Sequence, residues 1–179
     1  MTNSQWERKI RSHIFIIEVL LMKTYREVIE QMKRDARRNA DTRRVYIIDG
    51  APGSGKTTYV KNHKQPGDLV VDLDLLAAAL QGDTSAHPDY AAVMDPVLSA
   101  REAIYKTISE RTGAWKNAYV ISSSPNQKHI KNLADQLGGT VVTMDTDLER
   151  CISQIENDPT RRDKERDTRL AREWYNNRK

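Results

Sequence analysis

Residues 49–61 read DGAPGSGKTTYVK and form the strongest signal in the sequence. This stretch follows the apolar run 45–48 and contains the pattern Gly-x-x-x-x-Gly-Lys-Thr. A buried strand that turns sharply into a helix presents the unpaired N–H groups of that helix at the edge of the sheet, and glycines let the backbone approach a ligand closely. The pattern predicts a phosphate-binding loop for ATP, formed by Gly50, Ala51, Pro52, Gly53, Ser54, Gly55, Lys56, Thr57 and Thr58.

Two side chains of this loop carry the expected chemistry. Lys56 supplies a mobile positive charge for the β- and γ-phosphates, and the Thr57 hydroxyl is suited to bind Mg²⁺. The alternative is a chance glycine-rich turn. The apolar strand before the loop and the helical segment after it favour the phosphate-binding interpretation.

The rest of the chain alternates short apolar runs with helical segments. Further strands are predicted at 69–71, 118–121 and 140–144, and helices at 75–80, 91–112, 127–137, 148–155 and within 158–178. Such alternation is typical of a parallel sheet covered on both faces. The predicted fold is therefore α/β, a three-layer α/β/α core of the P-loop type.

Charge divides the chain into a basic N-terminal helical extension, residues 1–44, and a domain over residues 45–179. The first part carries 11 Lys/Arg against 6 Asp/Glu, and the second carries 18 against 19. The basic arm is a candidate contact for nucleic acid, the alternative being a solvated helix face. Its apolar run 14–22 is far shorter than the roughly 20 residues of a membrane span, so no membrane partner is expected. With one cysteine, Cys151, and no signal-peptide pattern, a cytoplasmic protein is predicted.

Two carboxylates follow the second predicted strand, at the edge where the loop lies. Alternate residues of an extended segment face the same way, so Asp72 and Asp74 are expected to point at one site. Asp74 is the candidate base for an acceptor hydroxyl, and Asp72 a candidate Mg²⁺ ligand or positioning group. The alternative for Asp74 is the N-cap of a helix beginning at Leu75.

Arginines near the C-terminus are candidates to neutralise charge on the transferring phosphoryl group. Arg161 and Arg162 follow the helix after the fourth strand, the alternative being a solvent-facing charged helix. The third strand ends in serines, where many ATPases place a carboxylate that directs a water. That absence disfavours an efficient free-standing ATPase.

Four ordered segments resemble the P-loop kinase group that contains the polynucleotide 5′-hydroxyl kinases. They are GAPGSGKTTYV (50–60), VVDLDLLAAAL (70–80), AYVISSSPN (118–126) and VVTMDTDLERCISQI (141–155). GDLVVDLD and the pair Trp174-Tyr175 also resemble small ATP-binding, AAA-like proteins of tailed phages and prophages. The resemblance implies ATP and Mg²⁺ as cofactors, with action in the bacterial host cytoplasm if the gene is phage-borne.

The resemblance also implies roles for single residues. Lys56 and Thr57 match the phosphate and Mg²⁺ ligands, Asp74 the catalytic aspartate, and Arg161 or Arg162 the arginine of the lid. Ser123 stands where the family often has an aspartate.

Three functions follow as expectations. The first is a Mg²⁺-dependent kinase that transfers the γ-phosphoryl group to a hydroxyl of a nucleic-acid end or nucleotide. The others are an ATP-binding accessory module with little turnover and a nucleic-acid-dependent ATPase. Tyr90, Tyr105 and Trp115 are candidates to stack on a base, with core packing as their alternative.

Overall fold

The computed structural model describes residues 25–30, 42–82 and 90–178. The chain divides into two units, Met1–Asp41 and Thr42–Lys179. In the first unit, residues 25–30 are helical. The apolar run 14–22 and most of the basic segment after residue 32 lie outside the described residues.

The second unit contains the predicted alternation of strands and helices. Its strands are β1 (Arg44–Asp49), β2 (Leu69–Val71), β3 (Asn117–Ser122) and β4 (Thr140–Thr143). Its helices are α1 (Lys56–His63), α2 (Leu73–Gln81), α3 (Met94–Ser109), α4 (Gln127–Leu137), α5 (Leu148–Asn157) and α6 (Lys164–Asn176). Each strand lies within one or two residues of its predicted position.

The four strands form one parallel sheet in the order β2-β3-β1-β4. Asp49, the last residue of β1, is in register with Ser122 of β3 and Thr143 of β4. The carboxyl ends of these strands therefore share one edge of the sheet. In open α/β sheets this is the edge at which ligands bind.

Consecutive residues of β1 are buried on opposite faces of the sheet. Ile47 packs with Ile108 of α3 and Leu137 of α4, whereas Ile48 packs with Val60 of α1. Because both isoleucines are fully buried, β1 is covered on both sides. The three-layer α/β/α fold and the parallel sheet predicted from the sequence are confirmed.

Two of the three candidate base-stacking aromatics belong to the hydrophobic core. Tyr105 and Trp115 are buried in one hydrophobic cluster, which also contains residues of β3 and α4. Their rings already stabilise the fold by removing apolar surface from water. Tyr90 is half-buried and lies outside these core clusters.

The start of α2 differs from the prediction. The helix begins at Leu73, two residues before the expected start, and its N-cap is Asp72 rather than Asp74. Asp72 has extended backbone angles, and its Oδ1 accepts a hydrogen bond of 2.9 Å from the Asp74 N–H. Asp74 therefore lies in the first helical turn, so the expectation that both carboxylates belong to one extended segment was wrong.

The remaining helices follow their sequence signals closely. Predicted helix 127–137 is confirmed: Asn126 caps its first turn, and Gly138 ends it in the left-handed conformation. Among the described residues, no helix is long and apolar enough to cross a membrane.

Candidate nucleotide-binding and transfer site

The loop 50–55 leaves β1 at the shared edge and runs directly into α1. Gly53 and Gly55 have φ angles of 78° and 88°, in the left-handed region that side chains rarely adopt. A Cβ on Gly53 would lie 2.4 Å from the Cys151 carbonyl oxygen and 2.9 Å from the Ile155 side chain. Glycine at position 53 is thus required both by the backbone turn and by the closeness of α5.

The side chain of Lys56 turns back onto its own loop. Its ammonium donates hydrogen bonds of 2.8 Å to the carbonyl oxygens of Gly50 and Ala51. Burial lowers the pKa of this group from 10.5 to about 8, an effect that Asp49 and Asp72 oppose and that the charge of Arg161 reinforces. Lys56 is therefore a buried ammonium whose lowered pKa lies close to physiological pH. Phosphate oxygens beside it would favour its charged form.

Helices α5 and α6 support the loop from one side. Ala51 packs in an apolar cluster with Cys151 and Ile155 of α5 and with Ala171 and Trp174 of α6. This packing explains the close approach of α5 to Gly53.

Hydrogen bonds continue from the loop to α6. The Thr146 hydroxyl donates a hydrogen bond of 3.0 Å to the Ser54 carbonyl oxygen, and the Tyr175 hydroxyl donates to the Thr146 carbonyl oxygen. The aromatic pair Trp174-Tyr175 thus supports the phosphate-binding loop in two ways. The Trp174 ring packs in the apolar cluster with Ala51, and the Tyr175 hydroxyl acts through Thr146.

The carboxylate of Asp74 lies beside a tyrosine hydroxyl. The Tyr90 phenol donates a hydrogen bond to Asp74 Oδ1. Burial raises the pKa of the Tyr90 phenol far above its usual value; the hydrogen bond to Asp74 and the charges of Asp74 and Asp72 raise it further, while Arg166 opposes them. Asp72, Asp74 and Arg166 therefore act on one hydroxyl at the end of β2.

Of the two candidate arginines, Arg161 is the one within electrostatic reach of Lys56. Its side chain is 14% exposed and forms ion pairs with Asp158, at 3.4 Å, and with Asp167. Arg162 is exposed. The structure thus brings Arg161 toward the phosphate-binding loop and leaves Arg162 at the surface of the segment between α5 and α6.

An ion pair beneath the loop was not predicted from the sequence. Arg178 Nη1 lies 2.5 Å from Oδ2 of the fully buried Asp49, and Arg178 Nη2 donates to the Ser124 carbonyl oxygen at 3.2 Å. The Arg178 guanidinium also lies 4.0 Å from the centre of the Trp174 ring. One signal was present in the sequence: an aspartate that ends an apolar strand requires a cation when it is buried.

The Asp49 contact depends on charge rather than on hydrogen-bond alignment. Both Asp49 carboxylate oxygens lack an aligned hydrogen-bond donor although the guanidinium is within ion-pair distance. Arg178 therefore stabilises Asp49 mainly by Coulomb attraction in a poorly solvated place.

Fold and site together define a P-loop nucleotide-binding protein with a kinase-like α/β/α core. The family described as AAA domain matches residues 45–173, and the chain belongs to this family. None of the curated proteins matches the sequence.

One solved structure agrees with this fold, and a second is similar at a lower score. A chain of the Pnkp1/Rnl/Hen1 RNA repair complex superimposes with a TM-score of 0.57 at 13% identity, over 77% of this chain and 46% of that one. Shikimate kinase from Acinetobacter baumannii, in complex with shikimate, gives a TM-score of 0.43 at 19% identity, over 76% of this chain and 83% of that enzyme. In the comparison with the RNA repair complex, this chain spans less than half the length of the chain that it matches. The expected resemblance to P-loop kinases is confirmed at the level of the fold.

Proposed function

We propose that this protein is an ATP-dependent phosphotransferase that moves the γ-phosphoryl group onto an acceptor hydroxyl. One observation carries the proposal: β1, β2 and β3 run parallel, so Asp72 and Asp74 after β2 lie at the same edge of the sheet as the phosphate-binding loop after β1. The charge of Asp72 acts both on Lys56 in the loop and on the Tyr90 hydroxyl beside Asp74. A phosphate-binding loop alone serves binding, whereas a carboxylate at the same edge of the sheet adds a candidate base for transfer.

Each residue has a role in this proposal. Lys56 and the loop N–H groups hold the β- and γ-phosphates, and Asp74 accepts the proton of the attacking hydroxyl. Arg161 neutralises charge that develops on the transferring oxygens, and its ion pairs with Asp158 and Asp167 hold its guanidinium in position.

Mg²⁺ fits the oxygen donors of this site. Thr57 is exposed at the start of α1, and Asp72 provides a carboxylate whose charge acts on Lys56. Mg²⁺ usually takes one or two protein oxygens and completes its coordination with water and phosphate. When bound, it would neutralise phosphate charge, with Thr57 and Asp72 as its protein ligands.

The proposed acceptor is a hydroxyl on a nucleic-acid end or a nucleotide. Support comes from the basic composition of residues 1–44 and from the fold shared with a chain of an RNA repair complex. The proposed place of action of the protein is the cytoplasm. If the gene belongs to a phage, this is the cytoplasm of the bacterial host.

The test is transfer of label from γ-labelled ATP to a panel of acceptors. The panel contains 5′-hydroxyl DNA and RNA oligonucleotides, nucleosides and nucleotides, and Lys56→Ala and Asp74→Asn serve as the inactive controls. We expect one acceptor class to take label and both variants to abolish the transfer. Tight ATP binding with no labelled acceptor would favour the accessory module instead, and DNA-stimulated release of inorganic phosphate would favour the ATPase.

Salt dependence separates the acceptor classes. Release of counterions makes nucleic-acid binding through a basic arm weaken steeply as salt rises. We expect the KM for a 5′-hydroxyl oligonucleotide to rise steeply between about 50 and 200 mM salt. The KM for a nucleoside, which has no phosphates for the arm to contact, should change little.

A further inference from the structure

The side chain of Tyr90 presents to Asp74 the same group that an acceptor has to present. In the proposed reaction, the acceptor hydroxyl donates a hydrogen bond to Asp74 before it attacks the γ-phosphate. The Tyr90 phenol already donates this hydrogen bond to Asp74 Oδ1.

We propose that Tyr90 occupies the place of the acceptor hydroxyl in the free protein and is displaced when the acceptor binds. Tyr90 is then a residue that sets acceptor affinity. This inference rests on the proposed function, since Asp74 acts as a base only if the chain transfers phosphoryl groups.

The surroundings of the phenol fit a temporary occupant. Tyr90 is half-buried and is not a member of the buried clusters that the described residues form. It precedes α3, whereas Asp74 belongs to the first turn of α2. The contact therefore joins two elements through side chains, and rotation of the Tyr90 side chain breaks it while both helices stay in place.

The phenol itself is held in its neutral, donating form. Burial raises the pKa of Tyr90, and the neighbouring carboxylates of Asp74 and Asp72 raise it further, so it keeps its proton throughout the physiological range. The Tyr90 hydroxyl occupies the Asp74 oxygen to which an acceptor hydroxyl has to donate. An acceptor that replaces Tyr90 removes this hydrogen bond and supplies the proton that Asp74 takes.

Displacement makes a directional kinetic prediction. The acceptor has to break the contact between Tyr90 and Asp74 in order to bind, and the free protein of a Tyr90→Phe variant has no such contact to break. Once the acceptor is bound, Asp74 has no contact with a Tyr90 hydroxyl in either the wild type or Tyr90→Phe. We therefore expect the same kcat for both. We expect Tyr90→Phe to lower the KM for the acceptor about tenfold, in line with the strength of a hydrogen bond to a charged group.

The experiment repeats the acceptor panel at saturating ATP with the wild type, Tyr90→Phe and Tyr46→Phe. Tyr46 is the matched control because its ring stacks on Tyr119, with centres 5.4 Å apart, away from Asp74. A lower KM with unchanged kcat in Tyr90→Phe alone supports the proposal. A merely structural role for Tyr90 would raise KM or lower kcat, which is the opposite direction.

The outcomes separate this inference from the proposed function. Labelled acceptors whose KM is unchanged or raised in Tyr90→Phe would overturn the displacement and leave the phosphotransferase standing. A kcat change at constant KM would show that the phenol stays on Asp74 during the reaction, which also overturns it. If no acceptor took label with the wild type or with either variant, the proposed function would be overturned, and this inference with it.

Discussion

Arg178 forms a buried ion pair with Asp49, the last residue of β1 before the phosphate-binding loop. Their closest nitrogen and oxygen atoms are 2.5 Å apart, Asp49 is fully buried, and the Arg178 side chain is 12% exposed. The pair links the segment after α6 to the carboxyl end of β1, an inner strand of the sheet. A residue at the far end of the sequence thus supports the residue that starts the loop.

Removal of Arg178 should destabilise the fold strongly. Arg178→Met leaves the Asp49 carboxylate buried without its cation, which typically costs about 3–5 kcal/mol. Urea unfolding of the wild type, Arg178→Met and the double variant Asp49→Asn/Arg178→Met measures this cost. We expect the double variant to be more stable than Arg178→Met, because it has no Asp49 carboxylate buried without the Arg178 guanidinium. Equal effects of Arg178→Met and of Arg172→Met, an exposed change on α6, would show that the ion pair is unimportant.

Gly53 and Gly67 provide a matched pair for the loop. Both have positive φ angles, of 78° and 89°, but only Gly53 has a backbone oxygen 2.4 Å from the site of a Cβ. Gly67→Ala should cost only the left-handed strain of about 1–2 kcal/mol and leave ATP binding intact. Gly53→Ala has to push α5 away from the loop, so we expect at least a tenfold loss of ATP affinity by calorimetry. Equal affinities for the two variants would contradict the packing of α5 against the loop.

ATP affinity should fall as pH rises above about 8. Lys56 has its pKa lowered to about 8 by burial, so above that pH the free protein loses the ammonium that the phosphates need. Binding then requires uptake of a proton, and Kd should rise by up to about tenfold per pH unit. Calorimetry between pH 7.5 and 9.5 in buffers of different ionisation enthalpy measures both Kd and the proton uptake. Lys56→Gln should bind more weakly with a flat profile over the same range; a sloping profile in that variant would assign the effect to another group.

Arg161 should matter for transfer more than for ATP binding. Its guanidinium acts on Lys56 and is held by Asp158 and Asp167. Because charge on the transferring group develops in the transition state, Arg161→Ala should lower kcat at least about a hundredfold with a smaller change in the Kd for ATP. Arg172→Ala, on the exposed face of α6, is the control for general loss of positive charge. Equal losses of kcat in the two variants would remove Arg161 from the mechanism.

The fold was predictable because its signals are local. The apolar runs that became β1 to β4 and the loop at 50–57 are contiguous in sequence, and Gly138 marks the end of α4. The start of α2 was misplaced because two aspartates compete for the cap, and only the backbone angles select Asp72.

The site was predictable only in part, since its remaining contacts join distant residues. Lys56 and Asp74 were predicted as site residues from their place in segments that follow strands, and this remains a prediction. Asp49 and Arg178 are 129 positions apart, and Tyr90 reaches Asp74 across 16. No spacing rule relates such residues; they meet because β1, β2 and the two C-terminal helices converge on one edge of the sheet.

In the proposed reaction, Asp74 takes the proton of an acceptor hydroxyl, and single-turnover transfer by Asp74→Asn is the decisive experiment. Asparagine keeps the size and hydrogen bonding of the side chain but cannot accept the proton, so general-base catalysis worth about 10²–10⁴ in rate should be lost. We expect an ATP Kd within about twofold of the wild type, by calorimetry, together with a loss of at least about a hundredfold in the rate of label transfer. Transfer at the wild-type rate by Asp74→Asn would show that Asp74 is not the base.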